Sequence, residues 1–187
     1  MRTTWKAKLY IRDVTPLLGA FKETEETKLR ERKTFYASRS YLPDFLDLRT
    51  EYKKCNSIKE IYDQSSCGSC WALAATGTMT DRLCILTGGR IQTKLSATEL
   101  ITCCDSCGLG CLGGYPSLAF KYWKNNGIPS GGSFGDKQTC KPYFLPPGKD
   151  NITEYVEKQE TPECENKCQE GYNKSLEEDK FYANEIY

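Results

Sequence analysis

The chain has 187 residues, of which 39% are hydrophobic, so it can bury a core as one domain and is not disordered throughout. The net charge of +1 gives no general case for nucleic acid, although a basic segment of residues 1–41 (10 basic, 5 acidic) precedes an acidic remainder (16 basic, 20 acidic). No apolar run approaches the roughly 18 residues that cross a bilayer, so no membrane-spanning segment is predicted. Polar residues follow Met1, so no export signal is predicted either.

The eleven cysteines indicate an oxidising compartment, because cytosolic chains seldom carry so many. Two N-glycosylation sequons, at Asn151 and Asn173, favour the same secretory route. Since eleven is odd, a disulfide-bonded monomer must leave at least one thiol unpaired. That thiol is the first candidate functional group.

Three helices are predicted after a boundary near Leu42, beyond which all the cysteines lie. Apolar residues recur at helical spacing from Cys70 to Leu86, and Thr87-Gly88-Gly89 then supplies a stop. The Ser96-Ala97-Thr98-Glu99 stretch resembles a capping box, in which the glutamate reaches back, and it opens a short helix through Ile101. A third helix is predicted over Pro116–Asn125, and after Ser130 the pattern dissolves into glycine, proline and charge.

The motif Cys67-Gly68-Ser69-Cys70-Trp71 carries the chemistry. A thiolate is a strong nucleophile, and the N-terminus of a helix places partial positive charge beside Cys70, which favours the ionised form. Gln64 precedes it by six residues and can donate amide protons to an oxyanion, together with the backbone N–H of Cys70. One nucleophile and one oxyanion donor are therefore predicted.

Two other interpretations of the cysteines are open from residues alone. A Cys-x-x-Cys pair also occurs in redox proteins and as half a metal site, but no thioredoxin-like pattern surrounds this one. The cluster from Cys103 to Cys111 fits a zinc or iron–sulfur site, although thiol-rich secreted chains more often form disulfides. No metal site and no cofactor are predicted.

The Cys-Gly-Ser-Cys-Trp motif is the signature of papain-like cysteine proteases, and along nearly its whole length the chain resembles the cathepsin B-like members. The resemblance rests on Thr4-Trp5-Lys6-Ala7, Ile58-Lys59-Glu60-Ile61, Cys103-Cys104 and Cys111-Leu112-Gly113-Gly114-Tyr115-Pro116. It implies an α+β papain-like fold, present here mainly as the helical left lobe, with most of the β-barrel-like right lobe missing. It also implies a propeptide remnant in residues 1–41 and a peptidase domain in residues 42–187.

The resemblance further implies substrate-binding roles for Gly113, Gly114 and Trp71, although the two glycines also suit a turn before the third helix. It implies five disulfides, which leave Cys70 free. The implied pairs are Cys55–Cys84, Cys67–Cys111, Cys103–Cys164, Cys104–Cys107 and Cys140–Cys168. Spacing alone allows hundreds of other pairings, so this pattern comes from the family.

The chain departs from the family pattern where the catalytic base is concerned. It contains no histidine, and only 117 residues follow Cys70, whereas the family's histidine and asparagine lie about 130–150 residues after the nucleophile.

The region Gly148–Glu160 is shorter than the occluding loop of cathepsin B and lacks its histidines, so Asp63 is expected to have lost its usual partner. Ser65 and Leu112 replace residues that the family often has as glycine and asparagine.

The sequence therefore predicts a cysteine-type peptidase that acts through an acyl-enzyme, as an endopeptidase when complete, whereas the 187 residues alone are inactive. Expected partners are protein or peptide substrates, its own propeptide as inhibitor, and cystatin-type inhibitors; the expected location is lysosomal or extracellular. The alternative hypothesis is a noncatalytic secreted disulfide-rich scaffold, or pseudoprotease, that binds peptides or proteases.

Overall fold

The computed structural model of the chain describes residues 18–29, 43–148 and 159–186. The Thr4–Ala7 block, most of the segment before the boundary at Leu42, and the sequon at Asn151 lie outside these ranges. Four α-helices are present in the described residues: α1 (Leu48–Glu51), α2 (Cys70–Leu86), α3 (Ala97–Cys103) and α4 (Pro116–Asn126). Short 3₁₀ helices cover Asn56–Lys59, Asp105–Cys107, Gly110–Leu112 and Glu177–Asp179.

Helix α2 is the central element, and it begins and ends where the sequence predicts. Trp71 and Met79 on this helix are almost completely buried and pack with Leu100 of α3 and Trp123 of α4 in one core. At its C-terminus the hydroxyl of Thr87 donates to the carbonyl of Leu83 (2.8 Å). The next two residues are glycines with positive φ, a backbone conformation that terminates helices. The local stop signal therefore sets the end of α2.

Helix α3 has only half of the predicted capping box. The hydroxyl of Ser96 accepts the amide proton of Glu99 (3.1 Å), as expected. The Glu99 carboxylate does not reach back, because it accepts from Lys141 Nζ (2.5 Å) and from the Tyr122 hydroxyl (2.8 Å). The N–H of Ser96 donates instead to the carbonyl of Pro129 (3.0 Å). A tertiary ion pair has replaced the reciprocal cap, so that part of the prediction is wrong.

Five disulfides tie the loops to this helical core. They join Cys55 to Cys84, Cys67 to Cys111, Cys103 to Cys164, Cys104 to Cys107 and Cys140 to Cys168. These are the pairs that the family resemblance implies. Two of them hold the segment 159–186, which contains almost no regular secondary structure, against α3 and the loop after α4.

Across the described ranges, β pairing is limited to isolated bridges, such as those between Ile128 and Phe181 and between Leu95 and Ser130. The chain thus has the papain-like fold mainly as its helical lobe, with α2, α3 and α4 around a shared core. In the described part of the chain, no helix combines the length and the hydropathy needed to span a membrane.

Candidate active site

Cys70 is the first residue of α2 and the free cysteine among those the structure describes. Its side chain is partly exposed, whereas the preceding Ser69 is fully buried. The unpaired N–H groups of the first helical turn give this end of α2 a partial positive charge. The thiol that remains after disulfide pairing therefore lies at the N-terminus of α2 and is accessible from solvent.

Residues 64–70 form the turn that leads into α2, with Gln64 at one end and Cys70 at the other. The carbonyl of Gln64 accepts the N–H of Cys67 (3.4 Å) and the hydroxyl proton of Tyr143 (2.8 Å). Gly68 donates its N–H to the carbonyl of Cys111 (2.9 Å), and the adjacent disulfide joins Cys67 to the same residue. The turn is thus fixed from two sides, close to the nucleophile.

Ser65, inside this turn, adopts φ = +53°, a left-handed conformation that costs a non-glycine residue about 1 kcal/mol or more. The side chain of Asp63 supports it, because Oδ1 accepts the N–H of Ser65 (2.8 Å). The departure from the family's glycine is therefore accommodated, with the strain left in the backbone.

Replacing Ser65 with glycine is expected to raise the free energy of unfolding by about 0.5–1 kcal/mol, since the left-handed strain is relieved and only part of that gain is offset by unfolded-chain entropy. The matched control is Ser66→Gly, one residue later, where φ is not positive and the same change should destabilise. Urea unfolding of both variants measures the difference. A loss of stability in Ser65→Gly would show that the turn is unstrained.

Gly113 and Gly114 form a wall beside Cys70, and an extended stretch of the chain's own N-terminal segment lies along it. Gly114 donates its N–H to the carbonyl of Gly19 (2.7 Å) and accepts the N–H of Phe21 (2.9 Å), which makes a parallel bridge. The ring of Phe21 lies edge-on to that of Tyr115, with centroids 5.3 Å apart. The wall therefore binds an extended backbone in this structure.

Close backbone approach explains the glycines at this contact. The N–H of Gly19 donates to the Cys70 sulfur (3.2 Å), and a Cβ on Gly19 would lie 1.7 Å from the carbonyl oxygen of Gly68. Gly113 has φ = +124°, and its Cβ would lie 2.5 Å from the Phe21 ring. Side chains at these positions would push the bound segment away from the thiol.

Trp71 was expected to contact substrate, and its position corrects that expectation. It is 1% exposed, and its indole N–H donates to the carbonyl of Gly110 (3.1 Å). A Cβ on Gly114 would lie 2.7 Å from the indole ring, so the ring is packed directly against that wall residue. Trp71 supports the wall from the core side and does not line the open cleft.

Asp63 has partners that the sequence did not predict. Its Oδ2 accepts the N–H of Gly148 (3.1 Å), the first residue of the short Gly148–Glu160 region. On the far side of that region, Gln159 donates its N–H to the carbonyl of Ser66 (3.1 Å). Both ends of the loop region are therefore joined to the turn that contains Gln64.

Thr161 adds a further contact, because its hydroxyl accepts the N–H of Cys111 (2.8 Å). No signal in the sequence could have found these contacts, since the partners lie 50 and 85 residues apart. Among the described residues, no group of three or more histidine, cysteine or acidic side chains is arranged to hold a metal ion.

Comparisons with known proteins agree with this geometry. Residues 42–186 match the family described as "Papain family cysteine protease". The "Cathepsin B-like cysteine proteinase" of Schistosoma japonicum is 41% identical over 182 residues, which are 94% of this chain and 53% of that protein. The "Cathepsin B-like cysteine proteinase 6" of Caenorhabditis elegans is 43% identical over 153 residues, 78% of this chain and 40% of that protein.

Among solved structures, "proCathepsin B S9 from Trypanosoma congolense" superposes with a TM-score of 0.66 at 29% identity, covering 87% of this chain and 50% of that one. The chain thus spans about half the length of the curated relatives that it matches. The family match covers residues 42–186, which are most of the chain. The chain therefore belongs to the papain family of cysteine proteases.

Proposed function

We propose that Cys70 is the nucleophile of a cysteine peptidase that cleaves extended protein substrates. The thiolate would attack the scissile carbonyl carbon, forming the C–S bond of an acyl-enzyme while the amine departs with a proton. The N–H of Cys70 and the Gln64 side chain would stabilise the developing oxyanion. The observation that carries the proposal is a free thiol at the start of α2, in contact with the same extended backbone that pairs with Gly114.

The chain contains no histidine, so the proton transfers need a general base from outside these 187 residues. We place that base, with its orienting asparagine, in the half by which the curated relatives exceed this chain. A noncatalytic scaffold is the second candidate, because a chain without histidine retains a peptide-binding wall even when no cleavage follows.

Residues 1–41 are proposed to be a propeptide that inhibits the enzyme by occupying the cleft, with the peptidase domain beginning at residue 42. The described part, residues 18–29, supports this because it lies on Gly114 as a bound peptide would. The group facing the Cys70 sulfur is the N–H of Gly19, not a carbonyl carbon. The bound segment therefore offers the thiol a hydrogen bond and no electrophile.

Gly19→Ala is expected to raise the rate at which iodoacetamide alkylates Cys70 by about tenfold or more, because relieving the clash with Gly68 displaces the segment from the sulfur. Ala20→Ser, at the exposed neighbouring position, is the control and should leave the rate unchanged. Nonreducing peptide mapping checks that Cys70 is the site of alkylation. Equal rates in both variants and the parent chain would show that the segment does not shield the thiol.

The complete enzyme is expected to act as an endopeptidase. A dipeptidyl carboxypeptidase needs cationic groups that hold a free C-terminal carboxylate, and Gly148–Glu160 contains no histidine to do so. With this chain joined to the C-terminal half of a cathepsin B-like relative, internal cleavage should exceed removal of C-terminal dipeptides by at least about tenfold. Paired assays on quenched substrates with free and amidated C-termini measure the ratio, and equal rates would contradict the assignment.

The substrates that fit this cleft are flexible or unfolded segments, since the backbone contacts at Gly114 require an extended chain. Cystatin-type proteins that insert loops into such clefts are the expected inhibitors. A lysosomal or extracellular location is proposed from the five disulfides, which persist in oxidising compartments.

The proposed function is tested by reaction with a peptidyl epoxide, an electrophile that requires both a nucleophile and an extended binding wall. One equivalent should attach to Cys70 in the Gly19→Ala chain, and an N-methylated form of the same peptidyl epoxide, which cannot pair with the backbone of Gly114, should label it more slowly. Labelling of other cysteines, or labelling that does not depend on the wall, would argue for a scaffold with an incidental thiol.

A further inference from the structure

Tyr143 lies under the turn that joins Gln64 to Cys70, and it is only 8% exposed. Its hydroxyl donates to the carbonyl oxygen of Gln64 (2.8 Å). The hydroxyl oxygen of Tyr143 is also 2.7 Å from the hydroxyl of Ser69, the residue directly before Cys70. Because the Tyr143 proton is used at Gln64, Ser69 must be the donor in the second bond. A buried chain of hydrogen bonds thus runs from Ser69 through Tyr143 to Gln64.

We propose that Tyr143 is a positioning residue, whose hydroxyl holds the oxyanion-donating end of the turn at Gln64 in register with the start of α2. This inference rests on the proposed peptidase function. Tyr143 touches neither the sulfur nor a substrate group, and its effect passes through the backbone of Gln64 and through Ser69. The two ends of the turn carry the two oxyanion donors, so their separation sets how well both reach the same oxygen.

The local contacts show why a single hydroxyl can matter here. Ser69 lies at the N-cap of α2, yet its side chain makes no capping bond to the helix, because the hydroxyl points to Tyr143. The alternative acceptor for Ser69, the carbonyl of Cys67, is 3.4 Å away. Ser65, in the same turn, is strained at φ = +53°. A strained turn needs external contacts to keep one conformation.

The protonation state of the Tyr143 phenol also suits the positioning role. Burial, followed by the charge of nearby Asp63, raises the pKa of Tyr143 to about 12, with the hydrogen bond from Ser69 acting in the opposite direction. The group therefore remains a neutral donor throughout the pH range in which proteases work. Its position in the sequence, 79 residues after Gln64, carries no motif that indicates the role.

The test compares Tyr143→Phe with Tyr122→Phe. Tyr122 is a matched control, since its partly buried hydroxyl donates to Glu99 (2.8 Å) on α3 and is not part of the turn. In the 187-residue chain, hydrogen exchange should become about tenfold faster at the amides of residues 64–70 in Tyr143→Phe and should stay unchanged there in Tyr122→Phe. Unchanged exchange over 64–70 in Tyr143→Phe would overturn the proposal.

Steady-state kinetics distinguish a positioning role of Tyr143 from an effect on protein stability alone. In the chain joined to the C-terminal half of a cathepsin B-like relative, Tyr143→Phe should lower kcat about tenfold or more and leave KM within about twofold. Tyr122→Phe should change neither constant. Adding Ser69→Ala to Tyr143→Phe should lower kcat no further, because both changes break the same chain of bonds.

A normal kcat in Tyr143→Phe, or a fall shared equally by Tyr122→Phe, would contradict the positioning role. If the joined wild-type protein has no activity that depends on Cys70, the proposed function itself fails, and the role of Tyr143 in catalysis fails with it. The wild-type measurement therefore distinguishes the two failures.

Discussion

The 187-residue chain is expected to show no enzyme-like hydrolysis of a fluorogenic dipeptide substrate, although its proposed nucleophile and oxyanion donors are present. Without histidine, no general acid protonates the departing amine and no base activates water. Each of these steps normally contributes on the order of 10²- to 10⁴-fold to the rate. Cys70 also has no imidazole beside it to take the thiol proton and activate the sulfur as a nucleophile.

Four samples decide this prediction: the chain alone, the chain joined to the C-terminal half of a cathepsin B-like relative, and the Cys70→Ala variant of each. Only the joined protein should turn over substrate, and Cys70→Ala in that protein should abolish the activity. Turnover by the short chain that disappears in its Cys70→Ala variant would mean that these residues are an enzyme by themselves. No turnover by the joined protein would favour the scaffold hypothesis.

Removing the amino group of Lys141 by Lys141→Met is expected to lower the free energy of unfolding by about 3–5 kcal/mol. Lys141 and Glu99 are 7% and 3% exposed, and their charged atoms are 2.5 Å apart. The substitution would leave the Glu99 carboxylate buried with only the Tyr122 hydroxyl as a described partner. A buried charge without its counter-charge is among the most destabilising changes in a core.

The control for this prediction is the pair of Lys180 with Glu177, also at a short distance (2.6 Å), in which the lysine is 13% exposed but the glutamate is 72% exposed. Lys180→Met should cost about 0–1 kcal/mol, because water solvates the remaining carboxylate. The double variant Glu99→Leu/Lys141→Met should recover most of the stability lost by Lys141→Met. Urea denaturation monitored by tryptophan fluorescence gives all the values, and a loss below about 1 kcal/mol for Lys141→Met would show that the pair is solvated.

The helices could be predicted from the sequence where their signals are local. The bounds of α2 follow from helical spacing and the Thr87-Gly88-Gly89 stop, and α4 ends one residue later than predicted. Helix α1 was not predicted, because four residues with no buried side chain leave no periodic pattern. The missing half of the capping box could not be anticipated, because Lys141, which binds the Glu99 carboxylate in place of the helix N-terminus, is 42 residues away in the chain.

In the candidate site, too, the features with local sequence signals could be predicted and those set by distant contacts could not. The motif around Cys70 and the wall at Gly113-Gly114 are contiguous in sequence and could be assigned by resemblance. The burial of Trp71 depends on Gly110 and Gly114, which reach it only through the folded core. Tyr143 contacts Gln64 across 79 residues of sequence, and Asp63 contacts Gly148 across 85 residues, so only the structure could reveal these contacts.

The central claim is that Cys70 is a nucleophile able to form an acyl-enzyme, and mass spectrometry of the chain after reaction with a p-nitrophenyl ester tests it most directly. This substrate needs no acid for its leaving group, so acylation can proceed without histidine, and the thioester should persist because no base hydrolyses it. The account predicts that the Gly19→Ala chain releases about one equivalent of nitrophenol and gains one acyl group on the peptide that contains Cys70. Acylation at another residue, or an equal release from the Gly19→Ala/Cys70→Ala variant, would contradict it.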